Sequence, residues 1–274
     1  IHVGAKPIFV DIAEDLNIDA SKIELKITKR TKAIMPIHWT GKMCSMDTIA
    51  KIAKKHKLKI IEDAAQGMGS YYKKKHAGTY SDIAAFSTHP LKNLNGLGDG
   101  GFITTNNKQL YEKIKLYRNH GIKSRDNVHV FGVNSRLDVL NAEVLNFRLK
   151  KLKSVILKRR RNIAIYRKLI NQKFIKIPHD TKNQFSSCVI FLCLCERRDE
   201  LQKYLNSKSI QSLVYYGTPL HKHYASKNRG LHKTKLPVSE NLAKKVLALP
   251  HHQNLTTNQI KLVCREVNKF YKNS

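Results

Sequence analysis

The chain has 274 residues, 41% of them hydrophobic, which is enough for a sizeable core in one large domain plus a smaller one and excludes a disordered or fibrous protein. No stretch approaches the roughly 18 uninterrupted apolar residues that a membrane helix needs, and the start, IHVGAKPIFV, lacks the basic region and cleavage site of a signal peptide, so a cytoplasmic protein is expected. The 51 basic and 20 acidic residues leave a formal charge of +31, a balance shared with nucleic-acid binders, but the lysines are spread along the whole chain without a nucleic-acid motif, which favours a solvated Lys-rich surface.

In chain order, KPIFVDI (6–12) and TKAIMPIHW (31–39) are apolar runs rich in β-branched and aromatic residues, and both are predicted as buried strands. The first residue is Ile, and its neighbours read as the end of a helix leading into a strand, so an upstream stretch is expected. MDTIAKIAKKH (46–56) sets Ile49, Ile52 and Ala53 on one helical face with lysines opposite, and LKIIEDA follows as the next strand. SDIAAFST (81–88) and GGFITT (100–105) read as further strands, and KQLYEKIKLYRNHG as a helix stopped by Gly121. Strands alternating with helices imply an α/β fold with a mainly parallel sheet covered on both faces, whose ligands gather at the carboxyl ends of the strands.

The span from Leu137 to Leu169 has helical periodicity without Gly or Pro, so one or two long helices are expected. After Pro178 come a strand (CVIFLCL), a helix (RRDELQKYLNSKS), a polar aromatic loop (YYGTPLHKHY) and a last helix beyond Pro250. The division expected is a large domain over 1–150, and a linking helix with a small C-terminal α+β domain over 151–274. The five cysteines are odd in number and lack zinc-knuckle spacing, which points to buried reduced thiols and no metal site.

Two segments carry candidate chemistry. In IIEDAAQGMGS, Asp63 directly follows a buried strand, where a carboxylate often merely caps a helix. In AAFSTHPLKNLNGLGDGG, Lys92 follows a strand and a proline and enters a run with glycines at 96, 98, 100 and 101, a tight loop in which backbone can approach a ligand. It is not a Walker loop, which needs Gly-Lys-Ser/Thr. A lysine and an acid so placed answer the needs of pyridoxal phosphate, which takes a lysine for its covalent link and an acid opposite its pyridine nitrogen. An opposite charge at hydrogen-bond distance keeps that nitrogen protonated, and the ring then withdraws electrons from the substrate carbanion.

Together with GAKPIFVDI, TKAIMPIHWTGKMCSMD, LYRNHG, GVNSRLDVLNAEVL, TPLH and LALPHH, these segments follow the order and approximate spacing of the DegT/StrS family of sugar aminotransferases, which the chain resembles over essentially its whole length. The resemblance implies a fold type I pyridoxal-phosphate enzyme, a homodimer with active sites shared between subunits. Its expected substrates are glutamate and a keto sugar linked to a nucleotide, in amino-sugar supply for a surface polysaccharide. By the resemblance Lys92 carries the cofactor and shuttles the proton, Asp63 pairs with the pyridine nitrogen, Gln66 lies against the ring, and Ser87 binds the phosphate. Asn134 would reach the phosphate of the partner subunit's cofactor. His89, Arg136 and His221 are candidates for substrate contact, with packing, an ion pair between Arg136 and Asp138, or plain structural hydrogen bonds as the alternatives. His38 and Trp39 stand at a strand end, in the active-site floor or the core.

Dehydratases of this family carry histidine in place of the lysine, so Lys92 argues for transamination. The family pattern also has a Ser/Gly/Thr phosphate loop and a ring-stacking aromatic before GAKPIFVDI, and FSSCVIF lacks a His and Tyr pairing seen at the matching place. Missing the loop and the aromatic would weaken cofactor binding. An inactive or regulatory relative and a basic nucleic-acid-binding protein are the alternatives to an enzyme.

Overall fold

The computed structural model describes residues 1–272. Its first regular elements are β1 (Ala33–Ile34), α1 (Met46–Lys55), β2 (Lys59–Asp63), a hairpin of β3 (Tyr71–Tyr72) and β4 (Lys75–His76), β5 (Ile83–Ser87), β6 (Gly101–Thr104) and α2 (Lys108–Tyr117). Four of the strands form one sheet in the order β1-β2-β5-β6, parallel across the first three and antiparallel at β6. The α/β class and the mainly parallel sheet expected from the alternation are therefore present.

The period-2 alternation of β2 and β5 sends Ile60, Ala84 and Phe86 to one face, where α1 lays Met46, Ile49, Ile52 and Ala53 against them. Ile49 is completely buried, which stabilises the fold by about 1.5–3 kcal/mol. The other face differs from expectation: Ile61, Ala85 and Ile103 stand exposed on it, so among the described residues helices cover one face of the sheet.

The two first predicted strands are also corrected. Residues 6–12 form no strand beyond a single bridge from Ile12 to Ile18, because no strand runs alongside to take up their backbone groups. Within 31–39 the ladder covers Ala33–Ile34 and then a bridge from Ile37 to Asp63, interrupted at Pro36, which has no N–H to donate.

The second half contains the hairpin β7 (Ile122–Ser124) and β8 (Asn127–Val128), the helices α3 (Val139–Leu149) and α4 (Leu152–Leu169), and β9 (Ile175–Lys176), β10 (Gln184–Phe185) and β11 (Leu192–Cys195). After these come α5 (Arg198–Ser207), α6 (Tyr224–Lys227), α7 (Pro237–Leu242), β12 (Val246–Ala248) and α8 (Thr257–Lys272). An antiparallel sheet β12-β11-β9 is buried at every position of β11 and packs against Tyr166 of α4, Leu201 of α5 and Ile260 of α8. The Tyr166 hydroxyl, inside that core, donates to the Pro250 carbonyl at 2.6 Å, which satisfies it. All five cysteines are unpaired, four buried and Cys188 partly so.

Two long-range ties join the halves. β10 pairs with β3, Phe185 opposite Tyr71. Leu16 packs among Leu192, Leu194, Val246 and Ala248, while Asp11 accepts the backbone N–H groups of Val238 and Ser239 at 3.0 and 2.9 Å and the Ser239 hydroxyl at 2.8 Å. Asp11 thus caps the first turn of α7 from more than two hundred residues away, and these bonds hold its carboxyl below the usual range against the opposing effect of burial.

Candidate active site

Parallel pairing puts Ile37, Asp63 and Ala85 in register, so the carboxyl ends of β1, β2 and β5 open onto one edge of the sheet. Asp63 ends β2, Ser87 ends β5, and the loop carrying Lys92 begins at Thr88. This is where ligands collect in parallel sheets. The loop is closed on itself: the Thr88 N–H donates to the Gly100 carbonyl at 2.8 Å and the Gly96 N–H to the Thr88 carbonyl at 2.7 Å. From α3 and its end, Asn141 Oδ1 accepts the Leu97 N–H at 3.0 Å, and Arg148 Nη1 donates to the Asn95 carbonyl at 2.6 Å. The glycines are needed, since a Cβ on Gly96 would come within 2.4 Å of the Asn141 side chain and one on Gly100 within 2.7 Å of Thr88 Oγ1.

Lys92 is half-buried, and burial lowers its pKa below the usual lysine range while the nearby Asp63 carboxylate acts in the opposite direction. The structure thus brings these two predicted residues close enough for the charge of one to act on the other through space. Asp63 Oδ1 also accepts the Ala65 N–H at 3.1 Å, which closes a local turn, and no helix follows for it to cap. Gln66 is held at both side chain and backbone: its Oε1 accepts the Thr40 N–H at 2.6 Å and its backbone carbonyl accepts Ser187 Oγ–H at 3.2 Å. Ser87 Oγ accepts the His89 N–H at 3.2 Å.

His89 caps its own loop. Its Nδ1 accepts the Leu91 N–H at 3.1 Å and its Nε2 is 3.9 Å from Asp99. His38 is part of the core rather than an open floor: its Nδ1 accepts the Cys44 N–H, and Nε2–H donates to Glu62 at 2.7 Å with neither side chain exposed. Glu62 also accepts the N–H groups of Gly78 and Tyr80. Burial pushes the Glu62 carboxyl up, but these bonds, the His38 one foremost, carry it below its ordinary value. Trp39 packs edge-on against Tyr216.

Asn134 and Arg136 lie apart, on an exposed segment bridged to Asn119. Arg136 donates from Nη2 to Asn119 Oδ1 at 2.6 Å, and no ion pair among the described residues links it to Asp138. His221 is buried beneath Phe9, with Nε2 3.0 Å from Glu240 Oε1. None of these three contacts Lys92, Asp63 or Ser87 among the described residues.

Four residues around the site escaped the sequence reading. Thr40 holds a left-handed backbone (φ 61°) that aims its N–H at Gln66. Asn93 is buried and donates to the Ser187 carbonyl at 2.7 Å, tying the lysine loop to a segment 94 residues away. Thr88 Oγ1 and Asn93 Oδ1, on either side of Lys92 in the loop, are buried without a hydrogen-bond partner among the described residues. Orphaned buried acceptors and hydroxyls are rare and call for a ligand or water. The available signal was the Thr88 and Asn93 pair bracketing HPLK; Ser187 offered none.

A half-buried lysine of lowered pKa, an acid acting on it, a serine at the adjoining strand end and unsatisfied polar atoms in a glycine-braced loop fit a phosphate-bearing aldehyde cofactor. No grouping among the described residues would hold a metal ion, and no helix is long and apolar enough to cross a membrane.

Comparison with known proteins agrees. The family model for DegT/DnrJ/EryC1/StrS aminotransferases matches residues 1–268. A dTDP-3-amino-3,6-dideoxy-alpha-D-galactopyranose transaminase of Aneurinibacillus thermoaerophilus is 39% identical over 97% of this chain and 73% of its own length. A protein of Geobacillus stearothermophilus named pleiotropic regulatory protein is 38% identical over 99% of this chain and 74% of its own. Among solved structures, DesV of S. venezuelae superposes with a TM-score of 0.94 at 35% identity, covering 98% of this chain and 73% of that one.

Proposed function

The chain belongs to the DegT/DnrJ/EryC1/StrS aminotransferase family, whose members use pyridoxal 5'-phosphate, and from that premise we propose that it moves an amino group from glutamate to the keto group of a nucleotide-linked sugar. The observation that carries the reading is the half-buried Lys92 within electrostatic reach of Asp63 at the carboxyl edge of the parallel strands. The sugar aminotransferase among the relatives supports the substrate class. Amino-sugar supply for a surface polysaccharide is the role that such a product serves.

In this reading Lys92 and Asp63 hold the cofactor from two ends, Ser87 takes its phosphate and Gln66 lies along its ring. Bound pyridoxal phosphate supplies a ring that withdraws electrons from the substrate carbon. Asp63 keeps a proton on the pyridine nitrogen through its negative charge. The lowered pKa of Lys92 leaves more of its amine unprotonated near neutral pH, so that it can take a proton from the carbon of the donor and deliver one to the carbon of the acceptor. Asn134 reaches the phosphate of a partner subunit's cofactor. Its exposure, and that of Phe131, Val139 and Leu140 around it, suits a face covered by a second copy in a homodimer.

A regulatory role draws support from the name of the Geobacillus relative. Both readings are tested together. With pyridoxal phosphate the wild type is expected to gain a visible absorption band, and borohydride to fix the cofactor on the peptide containing residue 92. Glutamate should then bleach the unreduced band. If Lys92→Ala shows the same band, the site is wrongly assigned; if the band forms but glutamate leaves it unchanged, the regulatory reading stands.

A further inference from the structure

Away from the Lys92 loop, a half-enclosed cavity of about 310 Å³ opens between the N-terminal stretch, the loop after β1 and α4. Lys42, Arg160, Arg161 and Arg167 contribute to its wall, against the carboxylates of Asp15 and Asp180. The partners of these charges are unequal. Arg160 is paired, donating to Asp180 Oδ2 at 2.7 Å and to the Ser186 carbonyl at 2.7 Å. Lys42, 4% exposed, donates its Nζ to the neutral carbonyl of His179. Arg167 likewise donates to the neutral carbonyl of Pro178 at 2.6 Å, and its Nε is buried without a partner. No ion pair among the described residues includes Lys42 or Arg167.

A cation taken out of water and given only a carbonyl keeps most of its desolvation penalty. Asp180 and Asp15 act on Lys42 only through space, and burial still lowers its pKa. Two such cations share one small cavity with two acids, of which Asp180 is committed to Arg160 and Asp15 reaches Lys42 only through space, so neither cation has an anion in hydrogen-bond contact. Arg supplies a planar fork and Lys a point donor, the pairing that suits a tetrahedral oxyanion.

We propose that this cavity binds an anion of the phosphate class, with Lys42 and Arg167 as its principal donors. Binding is independent of the assignment of Lys92. Its wall is nevertheless shared with the candidate active site: Thr40 lines the cavity and donates to Gln66, and Ser186 and Cys188, which also line it, flank the Ser187 that donates to the Gln66 carbonyl. Occupancy therefore bears on the seating of Gln66.

The test is calorimetric titration with inorganic phosphate at constant ionic strength, carried out on Ser87→Ala so that the proposed cofactor phosphate position does not contribute. Saturable binding is expected, weakened roughly tenfold or more by adding Lys42→Met or Arg167→Gln, the loss that follows removal of one charge-assisted hydrogen bond. Arg167→Gln serves if Lys42→Met does not fold. Absence of binding to Ser87→Ala, or binding equally strong in every folded variant, overturns the proposal. Uridine diphosphate is the second arm. Tighter binding than inorganic phosphate, lost with the same variants, assigns the site to a nucleotide's phosphates; equal or weaker binding assigns it to free phosphate.

Discussion

His251 shows how one buried ring makes stability depend on pH. It lies near the carbonyls of Cys188 and Val189, at 3.0 and 3.1 Å from Nε2, and burial first, then the charge of Arg159, lowers its pKa from 6.5 to about 4. Between those values the unfolded chain binds a proton that the folded one refuses. Stability from this residue is therefore complete above pH 6.5 and declines as pH falls toward 4, by about 3 kcal/mol at most. Denaturant titrations of His251→Gln at several pH values should show a flatter acid limb than the wild type. Glu62 makes the complementary case, since it answers His38 and two backbone N–H groups inside the core. Glu62→Ala strands all three donors and is expected to cost about 3–5 kcal/mol by urea unfolding.

Among the elements, α1 has the most direct link from sequence to energy. Ile49→Ala should lower unfolding free energy by about 2–5 kcal/mol, with the spread set by how far α1 settles back onto β2. Gly121 ends the turn after α2 with φ +71°, and an added Cβ would sit 1.7 Å from the Val130 carbonyl oxygen, so Gly121→Ala must displace the 128–133 segment. That helix was legible because its period is a local signal, although it ends at Tyr117, short of Gly121. The 6–12 strand was not: an apolar β-branched run records a preference for burial, and only a neighbouring strand turns it into a ladder. The site divides in the same way. Asp63, Ser87 and Lys92 could be read as strand-end residues within thirty positions of one another. Asn93 with Ser187, and Asp11 with Ser239, depend on segments that meet only in three dimensions.

For the whole molecule, the largest unmet demand is apolar. Phe131 is 100% exposed, and Val139 and Leu140 are 82% and 81% exposed, on a segment that also presents Asn134. Sedimentation should show a dimer that Val139→Asp with Leu140→Asp dissociates, and the same change should weaken cofactor retention if Asn134 acts across the interface. The high positive charge supports a simpler expectation: any DNA retention by this protein should disappear steeply with added salt and show no sequence preference. The reach of Asp11 to α7 has a kinetic consequence. Synthesis delivers Ser239 more than two hundred residues after Asp11, so the carboxylate must wait, unsatisfied, for the helix that it caps. Closing so long a loop is slow, and the Asp11 clasp belongs among the last contacts to form and the first to open. In pulse-labelled hydrogen exchange the amides of Val238 and Ser239 should gain protection after those of β11, and Asp11→Ala should speed unfolding more than it slows folding.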